Sequence, residues 1–142
     1  MQRFTYPVIL TPDKEDGGFV VTCRDVPEVV TQGETVEASI DEAEGALEAA
    51  IEMRIADGLE IPLPTTRKKN EYSASLPVGS AMKAALYLAM REQGISKAEL
   101  ARRMQLDEKE ARRMLDPKHA TKVPALERAL HALGKRVELV VV

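Results

Sequence analysis

Apolar and polar positions along this chain follow two periods, first two residues and then three to four. Phe4, Tyr6, Val8 and Leu10 alternate with Thr5, Pro7, Ile9 and Thr11, the rhythm of a half-buried strand. Pro7 inside that strand predicts an edge position or a bulge. The turn-forming run from Pro12 to Gly18 precedes a second strand with Phe19, Val21 and Cys23 on one face, so the two strands form an antiparallel hairpin. After Asp25-Val26-Pro27, a short third strand is expected at residues 29 to 32, ended by Gly33. Thr35 then caps a long helix ending near Asp57, with Gly58 as the residue after it. Val36, Ile40, Ala43, Leu47, Ala50 and Ile51 give it an apolar stripe to lay on the sheet. Ile61-Pro62-Leu63-Pro64 stops the helical region, residues 65 to 70 form a polar loop, and Tyr72, Ala74 and Leu76 predict a fourth strand returning to the sheet.

From residue 80 onward the period is helical. Ser80 is expected to cap a helix through Gln93, closed by Gly94. Ser96 and Glu99 have the spacing of a capping box, in which each side chain satisfies the other's backbone N–H, with Ile95 and Leu100 as its hydrophobic staple. Asp107 and Glu110 repeat the device, with Leu106 and Ala111 in the staple positions. Two helix starts eleven residues apart leave room for one short helix and a tight turn, the spacing of a helix-turn-helix. Gln105 stands in that turn where glycine is usual, and a positive φ there carries strain of about 1 kcal/mol. A last helix over residues 123 to 133 offers Val123, Leu126, Leu130 and Leu133 to the core. Val137, Leu139 and Val141 alternate as a terminal strand with no partner inside a helical domain, so they are expected to pair with a second copy.

The second helix of the motif divides its residues by angle. At 100° per residue, Ala111, Met114 and Leu115 share one arc and Lys109, Arg112 and Arg113 the opposite one. A recognition helix needs that division, because one side holds the motif's small core while the other lies in the DNA major groove. A single helix of this kind also reads as a solvated basic face; two capped helices in succession, with the small Ala101 where they cross, favour recognition. Lys109, Arg112 and Arg113 are thus the expected base or phosphate contacts, and Lys97, Lys118, His119 and Lys122 the expected phosphate contacts from flanking elements. Glu108 suits the helix dipole but repels phosphate, so it faces away or reads a base.

Charge divides the chain in the same place. Residues 1 to 80 hold seven Lys+Arg against fifteen Asp+Glu, a net of −8; residues 81 to 142 hold thirteen against eight, a net of +5. The whole-chain net of −3 conceals an acidic half and a basic half, and the expected domains are residues 1–78 and 79–142. No apolar run reaches the eighteen residues of a membrane span and the N-terminus lacks a signal-peptide core, which predicts a cytoplasmic protein away from membranes. Cys23 is alone and His119 and His131 are far apart, so neither metal nor cofactor is expected. Five aromatic residues offer little for stacking on single-stranded nucleic acid. The long helix carries a second, acidic arc of Glu37, Asp41, Glu44, Glu48 and Glu52, with no lysine among them.

In order and combination these segments resemble the HicB family of antitoxins. The resemblance runs nearly the whole length. It rests on Asp16-Gly17-Gly18-Phe19, Asp25-Val26-Pro27, Thr31-Gln32-Gly33-Glu34-Thr35 and Ile61-Pro62-Leu63-Pro64 in the first half. In the second half it rests on Arg113-Met114-Leu115-Asp116-Pro117-Lys118-His119 and on residues 126 to 136. It implies an α+β architecture, in which an N-terminal partial RNase H-like antiparallel sheet with one long helix precedes an all-α helix-turn-helix domain ending in a short strand. It also implies two partners besides a second copy: a small basic HicA-type toxin that cleaves messenger RNA, and the double-stranded operator of the shared operon. A toxin built to grip phosphates presents positive charge, so Asp13, Glu15 and Asp16 in the hairpin tip and the arc from Glu37 to Glu52 become toxin-contact candidates. Catalysis is not expected, since the first two strands present no inward acid and turn chemistry accounts for Asp13, Asp16 and Asp25. The rival reading is a repressor whose first domain senses a small ligand.

Overall fold

A computed structural model describes residues 2–142. The chain forms two compact units: one runs through Arg54 and resumes over Glu60–Pro77, and the other comprises Ile55–Leu59 and Val78–Val142.

The first unit contains β1 (Thr5–Pro12), β2 (Phe19–Thr22), β3 (Val30–Gly33), all but the last two residues of α1 (Val36–Ala56), and β4 (Tyr72–Ser75). The strands make one antiparallel sheet in the order β3-β2-β1-β4. β1 is therefore internal, and the expectation that Pro7 marks an edge or a bulge is corrected by how the ladder is shared. β4 pairs with residues 5 to 8 of β1, and β2 with residues 9 to 12. The Leu76 N–H donates to the Phe4 carbonyl at 3.0 Å, which fixes Tyr6 and Val8 as the residues bonded to β4. Pro7 points its missing N–H to the other side, where β2 does not reach, and no ladder bond is lost.

The register places Tyr6, Val8, Leu10, Val21 and Ala74 on one face. Of these Tyr6, Val8, Val21 and Ala74 are fully buried, as are Ala43 and Leu47 from α1. Each such side chain of Val or Leu size contributes roughly 1.5–3 kcal/mol on burial. Thr35 caps α1 as expected, its Oγ1 accepting the Ala38 N–H at 3.0 Å. Close backbone contact sets the entry angle: a side chain on Gly33 would strike Ser39, and one on Gly18, which has φ +71°, would strike the Gly33 carbonyl.

In the second unit lie α2 (Val78–Gln93), α3 (Lys97–Met104), α4 (Glu108–Leu115) and α5 (Val123–Ala132). α3 packs on α4, and α2 and α5 close the core. That core holds Met82, Leu86, Leu100, Ala111, Met114, Leu126 and Leu130, among others. Two sequence expectations need correction here. α2 starts at Val78, so Ser80 lies within its first turn. Val123 is 44% exposed because it is the first residue of α5, ahead of the stripe formed by Leu126, Ala129 and Leu130. Residues 135 to 142 form no strand within the single chain, since a strand requires a ladder partner. Leu139, Val140 and Val141 are each at least 68% exposed.

Candidate functional site

The geometry of the second unit is set by its helix ends. Ser96 Oγ accepts the Glu99 N–H at 3.1 Å and Asp107 Oδ1 accepts the Glu110 N–H at 2.9 Å, so α3 and α4 both start at side-chain caps. The expected boxes are one-sided. Glu99 turns its carboxylate to Arg102 and Arg103 instead of to the Ser96 N–H. These two guanidinium groups hold the Glu99 carboxyl below its ordinary range. Between the helices Gln105 adopts φ 56°, ψ 42°, the left-handed conformation anticipated for it. The Leu106 N–H reaches the Ala101 carbonyl at 2.9 Å and the Gln105 N–H reaches that of Arg102 at 3.2 Å, a Schellman closure with glutamine in glycine's place.

This turn presents α4 with Ala111, Met114 and Leu115 buried and Lys109, Arg112 and Arg113 exposed. Lys97, Lys118, His119 and Lys122 are exposed as well. Among the described residues, Lys97, Lys109, Arg113, Lys118 and Lys122 make no salt bridge within the chain. Arg112 does, with Glu108 at 3.0 Å. Both side chains are more than half exposed, and an exposed i,i+4 pair is worth only about 0.3–0.5 kcal/mol. Glu108 partly cancels the charge of Arg112 on the exposed side of α4.

The segment after α4 is folded back on the end of that helix. Asp116 Oδ1 accepts the Lys118 N–H at 2.9 Å, His119 Nδ1 lies 3.1 Å from Thr121 Oγ1, and Thr121 Oγ1 donates to the Arg113 carbonyl at 3.4 Å. From α2, the buried Lys83 Nζ donates to the carbonyls of Arg113, Asp116 and His119. Sequence reading missed Lys83. Its one signal was its spacing of three from Leu86 and seven from Met90, which puts a lysine on an apolar stripe.

The acidic candidates of the first unit occupy two kinds of position. Asp13 is committed to the hairpin turn, its Oδ1 accepting the N–H groups of Glu15 at 3.0 Å and Asp16 at 3.2 Å, while Glu15 and Asp16 are exposed. Along α1, Glu37 and Asp41 are exposed, whereas Glu44, Glu48 and Glu52 are half-buried. Glu44 Oε2 accepts the Ser75 N–H at 2.9 Å, which caps a donor on the outer edge of β4. The arc is thus not a uniformly solvated face.

A second network, not apparent from the sequence, orders residues 65 to 71. Arg24 grips Glu71 in bidentate fashion at 2.8 and 2.9 Å and reaches the Thr66 carbonyl at 2.8 Å. Asp25 accepts the N–H and hydroxyl of Thr65, each at 2.9 Å, which gives this carboxylate a structural task. The Arg24 guanidinium, aided by the Lys68 N–H, holds the Glu71 carboxyl down to about 2. Burial pushes the Cys23 thiol up, consistent with the small buried hydrophobe expected of it. Among the described residues no helix is long and apolar enough to cross a membrane.

A family profile described as the HicB-like antitoxin of bacterial toxin–antitoxin systems matches residues 5–85. Antitoxin HicB of Escherichia coli strain K12 is 39% identical over 137 residues, covering 96% of this chain and 99% of the relative. Antitoxin HicB 2 of Photorhabdus laumondii subspecies laumondii is 36% identical over 141 residues, covering 99% of each. Antitoxin HicB of Pseudomonas fluorescens strain Pf0-1 is 34% identical over 127 residues, covering 89% of this chain and 87% of the relative.

Proposed function

The chain belongs to the HicB-like antitoxin family, and from that premise we propose that it neutralises a small HicA-type, RNA-cleaving toxin with its first unit and represses its own operon with its second. The observation that carries the second half is the division of α4: an apolar side, Ala111, Met114 and Leu115, buried in the core of the second unit and an exposed side of Lys109, Arg112 and Arg113. In a dimer two such helices enter successive major grooves, so the operator is a near-palindrome with half-sites about one helical turn apart or a multiple of it. Lys97, Lys118, His119 and Lys122 fix the register on phosphates, and the α4 side chains read base edges.

For the toxin, complementary charge speeds encounter and rejects wrong partners. Glu15 and Asp16 at the hairpin tip and Glu37 and Asp41 on α1 are the exposed acids suited to this, while Asp13 and Glu44 shape the surface around them. Self-association uses Val137, Leu139 and Val141, which alternate on an exposed tail and gain backbone partners only from another chain. The protein acts as a cytoplasmic regulator without catalytic chemistry of its own.

The test is to copurify the chain with the product of the adjacent gene. The complex is expected to retard a duplex of the shared promoter and to suppress RNA cleavage by the partner. A neighbouring product that cleaves RNA equally well in the presence of this chain refutes the toxin half. Binding of the promoter no tighter than random duplex refutes the repressor half.

A further inference from the structure

Lys83 is 5% exposed and is one of the buried residues of α2, with Met82 and Leu86. An ammonium group withdrawn from water persists only where acceptors replace the lost hydration. Here the acceptors include the main-chain carbonyls of Arg113, Asp116 and His119. Their placement is informative. Arg113 belongs to the last turn of α4, Asp116 is its C-cap, and His119 closes the turn that displays Lys118 and His119 outward. The C-terminal carbonyls of a helix carry the negative end of its dipole, so a buried cation at this point is held strongly. Filling the core does not call for lysine, since Met82, Leu86 and Met90 fill the neighbouring positions of α2 with apolar side chains.

We propose that Lys83 is a positioning residue for DNA contact, joining the end of the recognition helix and the cationic turn after it into one rigid piece. It touches no DNA itself. The proposal rests on the DNA-binding reading above, and it assigns Lys83 the task of holding Lys118 and His119 at a fixed offset from Lys109, Arg112 and Arg113. A hydrogen bond to a phosphate oxygen forms only at close range, so a turn that drifts loses those bonds while the helix remains folded.

The experiment is a double-mutant cycle in the full-length chain, using Lys83→Met, Lys118→Ala and the pair, titrated against the promoter duplex over a salt series. Lys118→Ala is expected to reduce the salt slope by about one unit. Lys83→Met is expected to reduce it by at least as much, and Lys118→Ala then costs nothing further in that background. A purely structural lysine behaves differently: Lys83→Met lowers the amount of competent protein, leaves the slope intact and combines additively with Lys118→Ala. That result overturns the proposal. If thermal melting shows Lys83→Met unfolded, Lys83→Gln replaces it in the same cycle, and if neither folds, Lys83 is a residue of the fold and the proposal fails. Wild-type protein that ignores the promoter duplex sinks the DNA-binding reading instead, and is distinguished from the other outcomes before any variant is made.

Discussion

Gln105 is held at φ 56° by two backbone bonds that close α3, although its Cβ disfavours that conformation. Glycine has no such penalty but loses more chain entropy on folding. The balance favours glycine: Gln105→Gly is expected to raise the stability of the second unit by roughly 0.5 kcal/mol, read as a higher urea midpoint with unchanged slope. The position was legible in the sequence because caps at Ser96 and Asp107 bracket it and leave one place for the reversal. Lys83 was not legible in the same way. Its acceptors are carbonyls 30 to 36 residues distant, and carbonyls have no sequence signature. Glu71 was hidden for a similar reason, its arginine lying 47 residues earlier, before β3 and α1.

Segments with their own periodicity were read with their boundaries close to right, and segments defined by tertiary partners were not. The stripe of α1 and the alternation of β1, β2 and β4 follow from local pattern, which burial then confirms at Leu47, Val8, Val21 and Ala74. Residues 65 to 70 read as a polar loop, yet Arg24 and Asp25 hold Thr65, Thr66 and the adjacent Glu71 just beyond β2. This tie has a pH signature. The Glu71 carboxyl is held at about 2 against an ordinary 4.5, so the folded state favours its charged form. Its stabilising contribution is complete above about pH 4.5 and is lost as pH falls toward 2, because the unfolded chain takes up the proton first. Thermal melts of the full chain between these limits are expected to show the first transition falling with pH. Glu71→Gln, which removes the titrating group, is expected to flatten that dependence at the cost of a lower melting temperature at neutral pH. An unchanged pH profile in Glu71→Gln contradicts the role given to the Arg24–Glu71 pair.

At the scale of the whole molecule the chain places an acidic unit before a basic one, and each sign suits a different partner. The weak overall charge hides this, and only the division near residue 80 reveals it. The tail's alternating apolar residues stand exposed without ladder partners, and the proposed self-association supplies those partners from a second copy. Deleting residues 137–142 is expected to shift the protein toward monomer in analytical ultracentrifugation. Promoter affinity should fall with it, because each half-site then binds alone and the gain from linking two modules is lost. A truncated chain that remains dimeric removes the tail from the interface.

The central claim is that DNA recognition resides on the exposed side of α4 and is separable from toxin control. It is tested most directly by the triple substitution Lys109→Ala, Arg112→Ala and Arg113→Ala in the full-length chain. Promoter binding is measured by gel shift, and RNA cleavage by the copurified partner is measured in parallel. The expected result is loss of promoter retardation with inhibition of cleavage preserved. Undiminished retardation by the triple variant contradicts the account, since the groove-facing side chains would then lie elsewhere on the molecule.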